Sequence, residues 1–556
     1  MTDDYFGTKV EDPYRWLEAG DDPAVQTWEG EQGAKTRGLL DTLPGRDALM
    51  AEYETLWQTP LNTGFTLAGN KVFWSRREAM ANQPQEWVTN RATGIAGGHV
   101  YLDPNALSTD GTVALDWNVA SPDGALIAYG TSEGGDEMST LHVRHTDTLE
   151  DMPEAIRYTR SSSIAWLKDS SGFYYSRLPD PTTVPEEDKQ FYRHIFFHKL
   201  GTPAADDPLV YGADQPKETW ISVGSSSDYS TLFLSSSIDW AKNDLWMRPL
   251  DAPIDAPWVT LSVGEDGQTG GEVVGETLLL RTNVGHPRYC LMKAPLSSPD
   301  QRTMLIPEGP GVLEAFVVAN GRLVVQFMEN AYHHIRVYSL DGQLEREVEL
   351  PTLGPVSGLT SNPANPRVLF GFNSFAYPPT TFELDVTTGG LTTIDSMDLP
   401  IDFSRYEAVQ EWATSKDGTK IPMFLVGKKG FRDGTPKPTI LYGYGGFEVS
   451  LTPGFSRGLI PWLESGGVSV TANLRGGGEF GSAWHEAGRL EKKQNVFDDY
   501  YACAEHLIAS GITTSKQLAF NGGSNGGLLV GAAITQRPEL AQAAICGVPL
   551  LDMLRY

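Results

Sequence analysis

The sequence predicts two architectures in one chain, a seven-bladed β-propeller and an α/β domain with a doubly wound, mostly parallel sheet. Three observations lead to this prediction. Short apolar strands recur at near-regular spacing between residues 56 and 404. From residue 405 onward strands alternate with helices, an order that favours parallel strands covered by helices. In this second region a Gly-x-Ser-x-Gly motif stands between a strand and a helix.

The first 55 residues are predicted to be helical. Asp22 and Pro23 open a helix-like stretch, and an aspartate followed by a proline is a typical helix start. Because this segment precedes the propeller, we expect residues 1–55 to pack back on the α/β domain of residues 405–556.

Residues 56–404 repeat one unit, a turn followed by a short apolar or aromatic strand, which we take as the first strand of a blade. These strands begin 45 to 58 residues apart, at Asn70, Gly124, Gly172, Ser230, Glu276, Gly321 and Arg367. The period is typical of propeller blades, four-stranded sheets that bury their faces by stacking. The alternative is one or two large β-sandwiches, since no WD or kelch signature marks the repeats.

The α/β region contains four predicted strands and two predicted helices. Residues 438–442, 467–472, 517–520 and 543–546 are short apolar runs typical of buried strands. Residues 496–510 and 525–536 have the apolar spacing of helices. This order predicts a mostly parallel sheet with helices on both faces.

The segment from Gly522 to Gly526 fits the Gly-x-Ser-x-Gly pattern of a nucleophile elbow. It follows a predicted strand and opens a predicted helix, which is the context that the motif requires. Such a turn lifts the hydroxyl of Ser524 clear of the sheet at a helix N-terminus. The alternative is a glycine-rich loop with an incidental serine.

A nucleophilic serine also needs donors for the oxyanion that forms during acyl transfer. The backbone N–H of Asn525, directly after the serine, is the expected first donor. Tyr444 lies in a glycine-rich loop after the strand that ends near Tyr442, where a second donor is expected. The alternative is that these tyrosines are ordinary amphipathic core residues.

Motifs throughout the chain resemble those of the prolyl oligopeptidase family of serine peptidases. The matching segments are Asp12–Glu18, Ser415–Phe424, Leu441–Phe447, Asn473–Gly481, Lys493–Asp499, Asn521–Leu529 and Asp552–Tyr556. The resemblance implies an α/β-hydrolase domain capped by a seven-bladed propeller. It implies hydrolysis of short peptides on the carboxyl side of proline. It also implies Ser524 as nucleophile, Tyr444 and Asn525 as oxyanion donors, and Phe447 as a wall of the proline pocket.

The catalytic triad departs from the pattern expected for this fold, in which an acid and a histidine follow the serine. No histidine follows Ser524, and the aspartate that does, Asp552, does not match the triad position. We expect the family's aspartate and histidine to lie beyond Tyr556, which would leave the hydrolase fold incomplete at its C-terminus. A polypeptide of residues 1–556 is then expected to be inactive. His485 and His506 match no triad position.

Composition indicates which partners and which cellular compartment to expect for this protein. With 43 Lys+Arg against 71 Asp+Glu, the net charge of −28 disfavours nucleic acid and anionic membranes as partners. No apolar run approaches the roughly 18 residues of a membrane helix. The N-terminus carries no visible secretory signal, and three cysteines form no disulfide or zinc pattern. We therefore expect a cytoplasmic monomer (or a periplasmic one lacking its true start) without metal or cofactor.

Two other functions remain open at this point. One is an α/β-hydrolase of different specificity, an esterase or another oligopeptidase. The other is a non-catalytic propeller binding module with a decayed hydrolase domain. The intact Gly-x-Ser-x-Gly motif and the Tyr444 loop argue against decay, because a non-catalytic lineage need not keep a strained serine turn.

Overall fold

The computed structural model describes residues 1–555. The chain forms two compact units that divide between Trp57 and Gln58. The first unit contains a short antiparallel hairpin, β1 (Thr2–Tyr5) and β2 (Thr8–Glu11), and two helices, α1 (Pro23–Leu40) and α2 (Arg46–Trp57). The prediction of helical structure was therefore wrong for the hairpin residues. The Asp22 carboxylate caps α1 by accepting a hydrogen bond from the Ala24 amide at 2.8 Å, so the predicted helix start is confirmed. The expected packing of residues 1–55 on the α/β domain stays a prediction.

The second unit begins with the propeller, seven antiparallel sheets within the described residues. The first three sheets contain β3 (Leu61–Ala68), β4 (Lys71–Arg77), β5 (Gln85–Asn90) and β6 (His99–Leu102); β7 (Val113–Ala120), β8 (Leu126–Glu133) and β9 (Thr140–His145); and β10 (Ile164–Trp166), β11 (Gly172–Arg177), β12 (His194–Lys199) and β13 (Leu209–Tyr211). The fourth and fifth contain β14 (Trp220–Ser225), β15 (Thr231–Ser237), β16 (Asp244–Pro249) and β17 (Val259–Ser262); and β18 (Thr269–Val274), β19 (Thr277–Thr282), β20 (Cys290–Pro295) and β21 (Thr303–Ile306). The last two contain β22 (Val312–Ala319), β23 (Arg322–Glu329), β24 (Tyr332–Ser339) and β25 (Leu344–Val348); and β26 (Val356–Ser361), β27 (Arg367–Ser374), β28 (Tyr377–Asp385) and β29 (Leu391–Ser396).

Apolar clusters between neighbouring sheets hold the ring together. Each successive pair of sheets buries such a cluster, because one twisted sheet cannot bury both of its faces alone. Phe65 and Trp74 of the first sheet pack with Leu369 of the seventh, which closes the ring. The Asn62 amide also donates to the Asp395 carboxylate at 3.0 Å across this closure. The predicted seven-bladed propeller is therefore confirmed.

The predicted strand order within the blades was wrong by one strand. Each of the seven apolar strands taken as the first of its blade is the second in chain order, as β4 is in the first sheet. The second strand has neighbours on both sides, so it is the more apolar and the easier to recognise. The second sheet has three strands in the described chain, and isolated bridges at Asp151 and Ile156 stand where a fourth would pair.

The C-terminal region forms a six-stranded sheet in the order β30-β31-β33-β32-β34-β35. Its elements are β30 (Tyr406–Thr414), β31 (Lys420–Lys428), β32 (Thr439–Gly443), α3 (Ile460–Glu464), β33 (Val468–Ala472), α4 (Ser482–Glu486), α5 (Gln494–Ala509), β34 (Leu518–Gly523), α6 (Asn525–Gln536) and β35 (Ala543–Gly547). The last four strands of the order are parallel, as predicted, whereas β30 and β31 form an antiparallel hairpin that the sequence analysis did not recognise.

Helices cover both faces of this sheet. Met423 and Leu425 of β31 pack in the cluster that contains α5 and α6. Phe424 and Val426, which alternate with them, pack in a separate cluster with Leu463 of α3. Successive strand residues point to opposite faces, so the doubly wound architecture is confirmed.

Candidate active site

Ser524 occupies the turn between β34 and α6. Its backbone has φ 57° and ψ −119°, a sparsely populated conformation that costs on the order of 1–3 kcal/mol. The Ser524 amide donates to the Gly547 carbonyl of β35 at 3.0 Å, and its carbonyl accepts from the Leu528 amide of α6 at 3.1 Å. The residue is exposed, so the turn presents the hydroxyl to solvent rather than to the core.

The glycines around Ser524 let α6 approach the sheet closely. A Cβ on Gly522 would lie 2.3 Å from the Gly526 carbonyl oxygen, and a Cβ on Gly526 would lie 2.6 Å from the Gly443 oxygen. Real Cβ atoms do not approach backbone so closely, so side chains at these positions would push α6 away from β34 and β32. The motif therefore fixes where the serine stands.

The turn lies where the strand order of the sheet reverses. The chain passes from β32 to β33, which pairs with one side of β32, and then to β34, which pairs with its other side. Ligand sites in open α/β sheets form at the carboxyl ends of strands at such a switch point. Tyr444 follows β32 and Ser524 follows β34, so the two residues leave adjacent parallel strands at the same edge.

Tyr444 and Asn525 are joined directly. The Asn525 side-chain amide donates to the Tyr444 carbonyl at 2.6 Å. The Tyr444 ring lies beside Gly526, since a Cβ built there would be 3.6 Å from Cδ2 of the ring. Within residues 1–555 the Asn525 backbone N–H and the Tyr444 hydroxyl have no hydrogen-bond partner, so both donors are available to a ligand.

Lys493 lies beneath this pair and was missed by the sequence analysis. Its ammonium donates to the Gly445 carbonyl at 2.8 Å and to Oδ1 of Asn525 at 3.0 Å. Burial lowers the pKa of Lys493 to about 8. Adjacent lysines at positions 492 and 493 are typical of an exposed charged turn, and no signal in the sequence separates one from the other.

Phe447 lies in the loop after β32 and keeps 37% of its surface exposed. Phe447 and Glu448 both have φ 55°, in the left-handed region that favours glycine. Burial raises the pKa of the Glu448 carboxyl, and the Glu448 amide donates to Nδ1 of His485 at 3.2 Å. The loop is held in a strained shape that leaves the Phe447 ring accessible.

The two histidines in the C-terminal region make other contacts. His485 is buried, with Nδ1 2.7 Å from the Gly476 carbonyl oxygen. His506 lies on α5 and pairs through Nε2 with Glu411 at 2.9 Å. In the described part of the chain nothing hydrogen-bonds to the hydroxyl of Ser524, so neither histidine is placed as its base.

Buried ion pairs support the segment that follows β33. The Arg475 guanidinium donates to both carboxylate oxygens of buried Asp499, at 2.6 and 2.9 Å, and also pairs with Asp417. The Arg475 side chain holds the pKa of Asp417 at about 2. Breaking such a buried pair leaves a charge uncompensated and costs about 3–5 kcal/mol. This cluster anchors the loop next to the Tyr444 segment.

The edge that carries Ser524 and Tyr444 is directed at the propeller. The Ser482 amide, beyond β33, donates to the Pro287 carbonyl of the propeller at 2.9 Å. The Phe455 amide, in the loop after β32, donates to Oδ1 of Asn373 at the end of β27, at 2.7 Å. The propeller therefore stands over the carboxyl ends of the strands.

Comparison with known proteins identifies the family of this chain. The model described as "Prolyl oligopeptidase, N-terminal beta-propeller domain" matches residues 1–396, and the "Prolyl oligopeptidase family" model matches residues 453–556. The chain belongs to the prolyl oligopeptidase family. It is 35% identical to the prolyl endopeptidase of Elizabethkingia meningoseptica over 561 residues, which covers 100% of this chain and 78% of the relative.

Solved structures give the same result. One of two prolyl endopeptidases studied for inter-domain dynamics matches with a TM-score of 0.94 at 36% identity, over 100% of this chain and 82% of its own. Prolyl oligopeptidase B from Galerina marginata, bound to a 25mer macrocyclization substrate, matches with a TM-score of 0.93 at 28% identity. The match covers 99% of this chain and 80% of that structure's chain. The protein is thus a hydrolase of the serine-peptidase type. None of its described helices has the length and apolarity to cross a membrane.

Proposed function

We propose that this protein is an endopeptidase that cleaves short peptides on the carboxyl side of proline through an acyl-enzyme on Ser524. The observation that carries the proposal is the placement of the strained, exposed Ser524 beside Tyr444 at the switch point of the sheet. A serine in this turn is suited to attack a carbonyl carbon, because the residue is exposed and its hydroxyl has no hydrogen-bond partner within residues 1–555.

The reaction begins when a general base removes the proton of Ser524 and the oxygen attacks the carbonyl carbon of the substrate. The carbonyl oxygen becomes an oxyanion, which accepts hydrogen bonds from the Asn525 backbone N–H and the Tyr444 hydroxyl. The C–N bond breaks, the amine leaves with a proton, and the acyl group stays on Ser524. Water then attacks the acyl-enzyme and releases the acid.

The preference for proline rests on the relatives and on Phe447. The matched relatives are named prolyl endopeptidases and prolyl oligopeptidases. Phe447 offers an accessible ring three residues after Tyr444, in a loop with strained backbone. An apolar wall of this kind suits the uncharged pyrrolidine ring of proline.

The preference for short peptides rests on the propeller. The contacts through Pro287 and Asn373 direct the Ser524 edge at the ring, which restricts access to the site. A narrow propeller channel leaves little room for a folded substrate. We expect the enzyme to cut proline-containing peptides and to leave folded proteins intact, as a gel assay with both substrates would measure.

Substitution of the serine tests the proposal. In the full-length enzyme, Ser524→Ala should abolish hydrolysis of a proline-linked chromogenic peptide and labelling by an organophosphate. Ser510→Ala, an exposed serine at the end of α5, is the matched control and should leave both unchanged. Labelling of another serine, or equal cleavage after alanine and proline, would contradict the nucleophile or the specificity respectively.

A further inference from the structure

Lys493 is a partly buried cation without an anionic partner in the described part of the chain. In the described part of the chain no carboxylate lies within ion-pair distance of its ammonium. Its two bonded acceptors are neutral oxygens, the Gly445 carbonyl and Oδ1 of Asn525. Burial of a charge against neutral groups alone is costly, which is why its pKa falls to about 8. A lysine kept at such a cost is a candidate for a functional role.

The position of Lys493 on its own helix offers no reason for a cation. Lys493 is the N-cap of α5, and its side chain makes no capping hydrogen bond. The N-terminus of a helix carries partial positive charge, so an acidic or hydroxyl side chain would stabilise α5 better than an ammonium. The contacts of the side chain run instead to the two segments that carry the oxyanion donors.

The hydrogen bonds form a closed set of cross-links. The Asn525 side chain is fixed at both ends, because Nδ2 donates to the Tyr444 carbonyl and Oδ1 accepts from Lys493. The same ammonium holds Gly445, the residue after Tyr444. Lys493 thus sets the separation between the loop that carries the Tyr444 hydroxyl and the turn that carries the Asn525 backbone N–H.

We propose that Lys493 is a positioning residue that clamps the Tyr444 loop to the Ser524 turn, so that both oxyanion donors are aimed before substrate arrives. The proposal rests on the proposed roles of Ser524, Tyr444 and Asn525. Preorganised donors are effective because no reorganisation is needed as charge develops, and loss of their alignment reduces transition-state binding more than substrate binding.

Lys493→Met in the full-length enzyme is the decisive variant, since it keeps the length and apolar body of the side chain and removes the donors. We expect kcat to fall about 10- to 100-fold while KM changes less than about twofold. Lys492→Met, at the exposed neighbouring lysine, should leave both values unchanged.

Inhibitor binding separates a positioning role from a purely structural one. A peptide aldehyde ending at proline adds the Ser524 oxygen to its carbonyl carbon, and the former carbonyl oxygen takes the place of the oxyanion. The corresponding peptide alcohol cannot form this bond. Lys493→Met should weaken binding of the aldehyde by the same factor by which it lowers kcat. It should leave binding of the alcohol unchanged. Equal weakening of both inhibitors, or an unchanged kcat, would overturn the proposal.

Two further variants cover the remaining outcomes. In a Tyr444→Phe background the effect of Lys493→Met should shrink, because one of the positioned donors is already absent; fully multiplicative effects would contradict the clamp. If Lys493→Met does not fold, Lys493→Gln takes its place, and the measurement is again the ratio of the inhibition constants of the aldehyde and the alcohol. Activity that persists in Ser524→Ala would instead refute the proposed function and leave the Lys493 contacts without a reaction to serve.

Discussion

The propeller and the C-terminal sheet of this protein use β-structure in opposite ways. Within each propeller blade consecutive strands of the chain pair with one another, so each blade is a local unit and the seven blades share the burial of apolar surface. In the C-terminal sheet β32 pairs with β33 on one side and with β34 on the other. The 45 residues between the end of β33 and the start of β34 form helices and loops. Because the strand order reverses at β32, the loops that follow β32 and β34 meet at one edge of the sheet.

This difference indicates where substitutions are tolerated. A change in one blade affects that blade and its neighbours, because the contacts of a repeat are mostly with adjacent repeats. A change near Ser524 acts on several segments at once, since Gly443, Gly526 and Gly547 meet within a few ångströms of the turn.

Loss of the Tyr444 hydroxyl should produce the largest change. Tyr444→Phe keeps the ring beside Gly526 and removes one oxyanion donor, which costs about 3 kcal/mol in the transition state, or a roughly 100-fold or greater fall in kcat. Tyr442→Phe, at a tyrosine inside β32, is the matched control and should change kcat little. An unchanged kcat with a raised KM in steady-state assays would make Tyr444 a binding wall instead.

Gly522→Ala should cause the next largest loss of activity. The new Cβ would meet the Gly526 carbonyl oxygen at 2.3 Å, so the first turn of α6 has to move and Ser524 moves with it. A displacement of about 1 Å at a reacting group can cost about 100-fold in rate. We expect such a loss in kcat/KM with the propeller still folded, as limited proteolysis of the 58–396 region would show. Retained activity would mean that the turn tolerates displacement.

The same contrast explains how much of the site was predictable from sequence. The Gly-x-Ser-x-Gly turn was placed correctly between β34 and α6 because its glycines and its flanking elements are adjacent in the chain. Lys493 could not be found in this way, since its acceptors Gly445 and Asn525 lie 48 and 32 residues away and only the folded sheet brings them together. The roles of Ser524, Tyr444, Asn525 and Phe447 stay proposals until they are measured.

The fold, like the site, was predictable from the sequence only in part. The period of the blades was readable from their apolar second strands, but their limits were not. Strands such as β25, with mostly exposed residues, have one neighbour in the sheet, so they lack the apolar run that marks the second strands. The hairpin of β30 and β31 was missed for a different reason, since no helix separates its two strands and its pairing departs from the strand-helix order of the rest of the region.

The propeller carries one charge-dependent contact that should affect stability and leave catalysis alone. His198 is 1% exposed; burial alone would lower its pKa, but the hydrogen bond of Nδ1 to Asp207 and the Glu154 carboxylate 3.7 Å from Nε2 raise it to about 9. Tyr175 also donates to Asp207, at 2.8 Å. Because the folded protein favours the protonated imidazole, this contribution is fully present below the unfolded pKa of about 6.5 and is lost as pH rises through about 9.

The measurement is the unfolding temperature of the propeller between pH 6.5 and 9.5. The wild-type protein should lose stability over this range, and His198→Gln should lack the part of the slope that belongs to this group. The variant should also be less stable at neutral pH, because two buried carboxylates lose their partner. The same slope in both proteins would show that His198 is neutral in the folded state.

The smallest effect is expected from a glycine in the propeller, and it has the opposite sign to that of Gly522→Ala. Gly224 lies in β14 opposite Phe233 of β15, and a Cβ built on it meets no atom within 4 Å. Glycine inside a strand costs about 0.5–1 kcal/mol relative to alanine, because the unfolded chain loses more freedom on folding. Gly224→Ala should therefore leave kcat/KM unchanged and raise the unfolding temperature slightly. If it instead lowered activity as Gly522→Ala does, the blade would be coupled to the Ser524 turn, and the view of the propeller as a set of local units would fail.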